Sequence, residues 1–329
     1  GTHLPSKVFN QSTNQPSNSE PLNPKIVISA SRRTDIPAFY MSWFMDRIKS
    51  GFFEVVNPYN RQRRMVTAKP AEVHTIVFWS KDFGLFLKEH HGEKLQKAGY
   101  NLFFNFTINS EQKDLEPNIP SLEARLNQLD RLSRSHGPDC INWRFDPLCF
   151  YRNSGGSVEN NLADFSVIAR SAQRAGVTRC ITSFMDHYPK IQRRLAAVPG
   201  FSFIDPSPVE KAAILLKLET RLRPLKIGLS TCCEKDILQM LPAETEIRPS
   251  ACISNTLLTE LYGGRISLKR DTGQRRRQGC GCQVSVDVGS YRDQPCSHGC
   301  LFCYANPRGG ATLSTPGESR SLRYSAVPK

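Results

Sequence analysis

The chain lacks any apolar run approaching the roughly 18 residues that a membrane-spanning helix needs, and its first residues are polar, without the apolar core of an export signal. No membrane partner is therefore expected, and a soluble, unexported, cytoplasmic protein is. No glycine-rich phosphate loop follows any β-like run, so nothing in the pattern marks a doubly wound nucleotide-binding sheet. Acidic side chains are in short supply: 30 Asp and Glu stand against 44 Lys and Arg, a net charge of +14. The excess gathers at Arg61 to Arg64, Arg193 and Arg194, and Arg275 to Arg277. A basic field of this kind attracts nucleic acid, anionic metabolites or acidic polypeptides without choosing among them, and it also suits a merely solvated surface.

Cysteine, in contrast, is plentiful, at 11 among 329 residues. Disulfide frameworks belong to small secreted domains, whereas clustered cysteines in a large unexported chain more often hold metal. Residues 1–23 are rich in Ser, Asn, Gln and Pro and read as a flexible lead-in; 307–329 have the same character, leaving 24–306 as the folded part. Within it, short β-rich runs recur at Ile26 to Ser31, Thr75 to Ser80, Leu102 to Ile108, Cys140 to Phe145, Arg179 to Phe184, Lys226 to Thr231 and Gln283 to Gly289. Intervening stretches such as Ser121 to His136 and Val158 to Ala175 carry apolar residues at helical spacing. Strand and helix alternating in this way predict an α/β fold with a parallel sheet.

Polar residues cluster at the C-terminal ends of these runs: Arg32, Arg33 and Asp35; Lys81; Arg144 and Asp146; Asp186; Cys232. In a β/α barrel those ends share one face, where catalytic loops converge. The pattern therefore predicts a partial or complete (β/α) TIM-like barrel, with an open sheet as the alternative. Arg32, Arg33, Lys81 and Arg144 would set cations on that face, suited to carboxylates or phosphates, with Asp35 and Asp146 to neutralise them or bind hydroxyls. An internal salt-bridge network explains the same residues equally well.

Cys296, Cys300 and Cys303 stand in Cys-Ser-His-Gly-Cys-Leu-Phe-Cys-Tyr. The C-x3-C-x2-C spacing suits three thiolates on three irons of a cubane, with the fourth iron open; three zinc ligands awaiting a fourth are the competing reading, and His298 lies in the loop. Cys280 and Cys282 form a C-x-C pair in Gly-Cys-Gly-Cys, where glycine frees the backbone to aim both sulfurs at one metal. Cys232 and Cys252 are placed to join them, with Cys233 able to replace Cys232. Four such thiolates would complete a second iron-sulfur cluster or a zinc site. Cys140, Cys149 and Cys180 sit in apolar settings and read as core.

The triplet, with aromatic Phe302 before its last cysteine and Tyr304 after it, resembles the cluster motif of radical S-adenosylmethionine (SAM) enzymes. Beyond it, Ser29-Ala-Ser-Arg-Arg-Thr-Asp-Ile-Pro, Val77-Phe-Trp-Ser-Lys, Trp143-Arg-Phe-Asp-Pro, Thr231-Cys-Cys-Glu, Ala251-Cys-Ile and Cys280-Gly-Cys through Asn306 together resemble a bacterial family of unknown function whose C-terminal cysteines have been likened to that motif. The resemblance implies a 4Fe-4S cluster on Cys296, Cys300 and Cys303, SAM as co-substrate, and an electron donor such as ferredoxin or flavodoxin. It brings no established reaction. The usual Gly-Gly-Glu motif has no counterpart; Ser-Ala-Ser-Arg-Arg occupies its place. Because most such barrels carry the cluster loop after their first strand, its late position here implies a circular permutation, with Gln283 to Gly289 lying beside Ile26 to Ser31. A faint likeness of Val77-Phe-Trp-Ser-Lys to spore photoproduct lyase relatives, together with the charge, makes nucleic acid a candidate substrate. The alternative is a non-enzymatic zinc or iron-sulfur protein that binds nucleic acid through its basic surface.

Overall fold

The computed structural model describes residues 24–57, 60–275 and 278–305. The expected lead-in and tail, Asn306, and Arg276 and Arg277 of the basic run lie outside the described residues. The strands, in chain order, are β1 (Ile26–Ala30), β2 (Phe52–Val56), β3 (Arg63–Thr67), β4 (Val73–Ser80), β5 (Asn101–Thr107), β6 (Ile141–Leu148), β7 (Phe150–Arg152), β8 (Val158–Asn160), β9 (Arg179–Phe184), β10 (Ser202–Ile204), β11 (Gly228–Thr231), β12 (Arg248–Pro249) and β13 (Val286–Asp287). Eight of them form one sheet in the order β12-β11-β9-β6-β5-β4-β1-β13, and each neighbouring pair runs parallel. The protein is thus α/β with a large parallel sheet, its strands joined by helices as parallel connections require. Serine caps three of the described helix starts, Ser254 accepting from Leu257 N ahead of Asn255–Tyr262. Ser121 accepts from Ala124 N ahead of helix Leu122–His136, and Ser207 with Glu210 forms a capping box ahead of Pro208–Leu222.

The two faces of the sheet follow the period of two along each strand. One set of side chains is aromatic and packs beneath the helices: Phe78, Phe104, Trp143 and Phe145 meet Phe44, Phe86 and Phe165, which the helices supply, at centroid separations of 5.0–5.7 Å. The alternate set is polar towards the strands' C-terminal ends and includes Ser29, Trp79, Asn105, Arg144, Asp146 and Ser183. These residues hydrogen-bond among themselves, Trp79 Nε1 donating to Ser29 Oγ (3.1 Å) and Asn142 Nδ2 to Asn105 Oδ1 (3.1 Å). The sheet curls strongly around this polar face. Asn105, in β5 near the middle, donates through Nδ2 to Cys252 O at 2.9 Å, beyond the edge strand β12.

Of the partial or complete barrel expected from the strand pattern, the complete form is not found among the described residues. The sheet keeps two edges, each a strand of two residues, β12 and β13. Pro249 in β12 has no N–H with which to extend pairing, and the edges are joined by coil, where Gln283 N donates to Ile253 O at 3.0 Å. The expected strand Gln283 to Gly289 therefore shrinks to Val286–Asp287, but it does pair with β1, Ile28 opposite Val286. Lys226 to Thr231 loses its start, because Lys226 takes φ 56° at the end of a tight turn. Val158 to Ala175 is not one helix: Val158–Asn160 pairs antiparallel with β7, and the helix begins only at Phe165. With β10, these strands make a small sheet, and Tyr151 of β7 belongs to an apolar cluster with Leu115, Met185, Cys300 and Phe302. Cys140, Cys149 and Cys180 are buried, as their settings predicted.

Candidate metal centre

The polar ends of β1, β4, β6, β9 and β11 surround a cavity of about 240 Å³, and so do Cys296, Cys300, Cys303, Cys232, Cys252, Cys280 and Cys282. The two expected thiol groups therefore share one chamber.

The triplet's loop is fixed by its backbone. It leaves β13 beside β1, where Asp287 accepts from Ser29 Oγ (3.0 Å), Ser31 Oγ (2.6 Å) and Arg32 N (2.7 Å), tying the first strand's loop to the last strand. Tyr40 donates its hydroxyl to Pro295 O (2.6 Å), and Asn118 donates through Nδ2 to Ser297 O (2.9 Å). Gly299 turns the chain at φ 70°, a conformation that side chains resist. Arg194 then donates Nη1 to Cys300 O (3.2 Å) and Leu301 O (2.7 Å) and Nη2 to Cys303 O (3.0 Å). Burial pushes the Cys296 thiol up to about 12, and burial raises that of Cys300 as well, with Lys81 opposing. Thiols so reluctant to ionise alone need a cation or cluster to become thiolates.

Around this loop lie matched pairs. His298, itself buried, hydrogen-bonds Asp35 Oδ2 through Nε2 at 2.8 Å. Asp35 also accepts from Ser80 Oγ (2.7 Å), Lys81 N (2.9 Å) and Ala38 N (3.0 Å), so it caps the helix Ile36–Phe39 while holding the histidine. Lys81 pairs with buried Glu116 and lies over the ring of Phe302 (5.3 Å); burial works against its charge, but Glu116 and Cys300 outweigh it and the ammonium is held. Cys300 Sγ stands 3.8 Å from Glu116 Oε1. Arg144 pairs with Asp146, which also accepts from Ser183. The guanidiniums of Arg32 and Arg144 lie 5.1 and 5.0 Å from the ring of Trp79. Arg32 Nη2, Thr34 Oγ1, Arg144 Nε and His298 Nδ1 are buried without a partner among the described residues, and all four residues line the cavity.

The second group is denser. Cys232, Cys233 and Cys280 have their sulfurs within 4.8 Å of one another, a spacing at which they could hold a metal ion; Cys232 Sγ to Cys233 Sγ is 3.5 Å. Cys252 and Cys282, both buried, line the cavity beside them. Hydrogen bonds from Cys232, Cys233 and Cys282 hold the Cys280 thiol far below the ordinary range, and the neighbouring Cys232 is raised through its contact with Cys233. Arg32 lies near Cys282, Arg144 near Cys252 and Cys232, and Arg275 near Cys233 and Cys232. Three guanidiniums thus face the sulfurs, the charge complement that a thiolate centre requires.

Of the expected site residues, Arg32, Asp35, Lys81, Arg144, Asp146 and the expected cysteines reach the cavity. Phe302 is buried in its wall and Tyr304 is exposed beside it. Arg33 does not line it: Nη1 donates to Gly289 O (3.1 Å) and Nε faces Asp287 at 4.0 Å, which makes it a brace between β1 and β13. Cys233 joins the second group beside Cys232 instead of replacing it. Sequence reasoning missed Glu116 and Asp287, lone acids in loop and strand that carry no motif. It read Arg194 only as part of a basic patch, although Ile191, Arg194 and Leu195 share helical spacing and all three are buried.

No curated protein matches the chain. Among solved structures, the carboxyl transferase domain of Rhizobium etli pyruvate carboxylase with 3-hydroxypyruvate aligns over 78% of this chain and 45% of its own, at 9% identity and a TM-score of 0.29. The same domain with pyruvate aligns over 79% and 45%, at 11% identity and a TM-score of 0.26. The chain thus spans less than half of those chains, and at these TM-scores the likeness carries no argument. The family model described as domain of unknown function (DUF1848) matches residues 27–305, nearly the whole described chain, and the protein belongs to that family.

Proposed function

We propose that the protein is a radical SAM enzyme whose 4Fe-4S cluster is held by Cys296, Cys300 and Cys303. The observation that carries this reading is the placement of those three thiols, on a loop that follows a strand paired with β1, inside a chamber also lined by Arg32, Lys81, Arg144 and His298. In this reading the curled sheet is a circularly permuted, partial (β/α) barrel of radical SAM type. The fit is sound in two respects. The triplet's sulfurs are not drawn to single-ion spacing, whereas those of Cys232, Cys233 and Cys280 are, among the described residues; thiolates on separate irons of a cubane stand further apart. Buried groups without partners, Arg32 Nη2, Thr34 Oγ1 and His298 Nδ1, offer donors and an acceptor to a polar co-substrate such as SAM.

Held by Cys296, Cys300 and Cys303 and reduced by a donor such as ferredoxin or flavodoxin, such a cluster would supply the one electron needed to cleave SAM to methionine and a 5'-deoxyadenosyl radical able to take hydrogen from substrate. The chain's own residues do the rest. Arg194 keeps the loop carbonyls paired so that three thiols stay aimed inward, and Asp35 fixes the ring of His298 through Nε2, leaving Nδ1 towards the cavity. Arg32 and Arg144, spaced by Trp79, are placed to receive carboxylate or phosphate oxygens. The apolar wall of Phe302, Met185 and Leu115 keeps water from the triplet.

Anaerobically reconstituted protein is expected to be brown, to hold about four irons at the triplet, and to form 5'-deoxyadenosine from SAM and dithionite. An intact cluster that leaves SAM uncleaved overturns the enzyme reading. For nucleic acid as substrate, binding to DNA or RNA should weaken steeply with salt; negligible affinity at low salt turns the search to small molecules and peptides.

A further inference from the structure

We infer that Cys232, Cys233 and Cys280, with Cys282 closing on them as fourth ligand, form a site for one thiophilic metal ion of the zinc class, separate from the triplet and independent of what the triplet holds. Spacing is the first argument. Sulfurs about 2.3 Å from one tetrahedral ion lie roughly 3.8 Å from each other. Cys232 and Cys233 are 3.5 Å apart and Cys280 lies within 4.8 Å of both, so three corners of that tetrahedron are formed. The fourth corner is left to Cys282, which stands two residues from Cys280 and lines the same cavity outside the close sulfur group.

Backbone conformation is the second argument. Adjacent residues leaving a strand point to opposite faces, yet Cys232 and Cys233, just after β11, aim both sulfurs at one spot. They do so because Cys233 takes φ 66°, a left-handed conformation unusual for a side chain of this kind. The opposing Cys280-Gly-Cys282 loop is pressed against the sheet edge. A Cβ on Gly281 would stand 2.8 Å from Ser250 O, and one on Gly279, at φ 88°, 2.8 Å from Lys235 Cβ. Backbone held this tightly on both sides of a sulfur cluster is built for a fixed coordination geometry.

Charge is the third. Four thiolates on a divalent ion leave a net charge of about −2, and Arg32 beside Cys282 with Arg275 beside Cys232 and Cys233 offset it. Cys252, buried and outside the close sulfur group, then packs beside the ligands without binding the ion.

The test is metal analysis of the anaerobically purified full chain and of single variants, with zinc, iron and sulfide measured on each sample. Wild type is expected to hold about one zinc per chain; Cys233→Ser is expected to lose it, Cys252→Ser to retain it, and both to keep the triplet's iron on reconstitution. Cobalt in place of zinc should show the visible bands of a tetrahedral thiolate centre in wild type and Cys252→Ser, and lose them in Cys233→Ser. Zinc retained in Cys233→Ser, or iron and sulfide lost from it in place of zinc, overturns the inference. Either result leaves the reading of the triplet standing, since that rests on Cys296→Ala, Cys300→Ala and Cys303→Ala and on SAM cleavage. If Cys233→Ser does not fold, cobalt titration of wild type decides alone: absence of the tetrahedral bands overturns the site.

Discussion

The triplet Cys296, Cys300 and Cys303 lies on one loop, and the loop is held from outside, its carbonyls gripped by Arg194 and its entry tied by Tyr40 and Asp287. The second group draws its ligands from two separate segments, each held by its own backbone: the end of β11, where Cys233 takes φ 66°, and a glycine-flanked pair. A single side chain outside the triplet can therefore release the first group, whereas the scaffold of the second yields to changes in local conformation. The difference suits two kinds of occupant. A centre that meets a co-substrate and changes charge needs one face open to the cavity, while a structural ion needs its ligands pre-arranged and closed around it.

The sharpest way to break the contrast is Arg194→Met. Arg194 is buried, and its guanidinium donates to three carbonyls; hydrogen bonds to a charged group are worth about 1.5–3 kcal/mol each, and the abandoned acceptors stay desolvated. A stability loss of about 3 kcal/mol or more is expected in denaturant unfolding, together with loss of iron at the triplet and with zinc retained at the second group. Arg194→Lys should restore little of either, because one ammonium cannot span Cys300, Leu301 and Cys303 as the planar fork does. Iron unchanged in a folded Arg194→Met protein would mean that the loop holds itself.

Gly281→Ala probes the other group, with a smaller expected effect. The added methyl would meet Ser250 O, a backbone atom that cannot swing aside, at 2.8 Å. Relieving that contact should cost about 1–3 kcal/mol and pull Cys280 and Cys282 away from Cys232 and Cys233. Chelator competition should then strip zinc faster from the variant, while the triplet's iron and SAM cleavage stay close to wild type. Equal loss at both centres would show that the shared cavity couples them more tightly than their separate scaffolds suggest.

Much of this contrast was legible beforehand, and the limits are instructive. Arg179 to Phe184 reads as a strand because it is a short β-rich run between segments long enough for helices, and β9 takes those same bounds. The polar strand ends were legible as one face for a related reason: alternation places them, and parallel order gathers them. The hairpin of β2 and β3 escaped notice, since β3 begins with Arg63 and Arg64 and most of it faces solvent, leaving little apolar alternation to read. Closure escaped as well. Whether a curled parallel sheet joins its edges depends on the length and pairing of β12 and β13, two residues each, and no local pattern carries that. The five-thiol arrangement was legible as residue types, but the pairing of Cys232 with Cys233 turns on one left-handed φ, a property of the folded backbone alone.

The smallest expected effect separates the fold from both centres. His136 packs between Phe104 and Phe86 at 5.1 and 6.4 Å and hydrogen-bonds Gln96 through Nδ1; His91 packs near the same Phe86 at 6.1 Å. Burial lowers the pKa of both histidines, with Lys94 adding to it at His91. In the window between the depressed folded value and the unfolded value of about 6.5, the unfolded chain binds more protons, so stability is present above that window and is lost as pH falls through it. His136→Gln should flatten the decline in melting temperature between about pH 7 and pH 5. Metal release in acid follows a different route, protonation of thiolates, and should keep its midpoint in that variant. A metal-release midpoint that moves with His136→Gln would mean that acid empties the centres by loosening the outer layer of the sheet, and the two thiol groups would then differ in scaffold but not in what limits their stability.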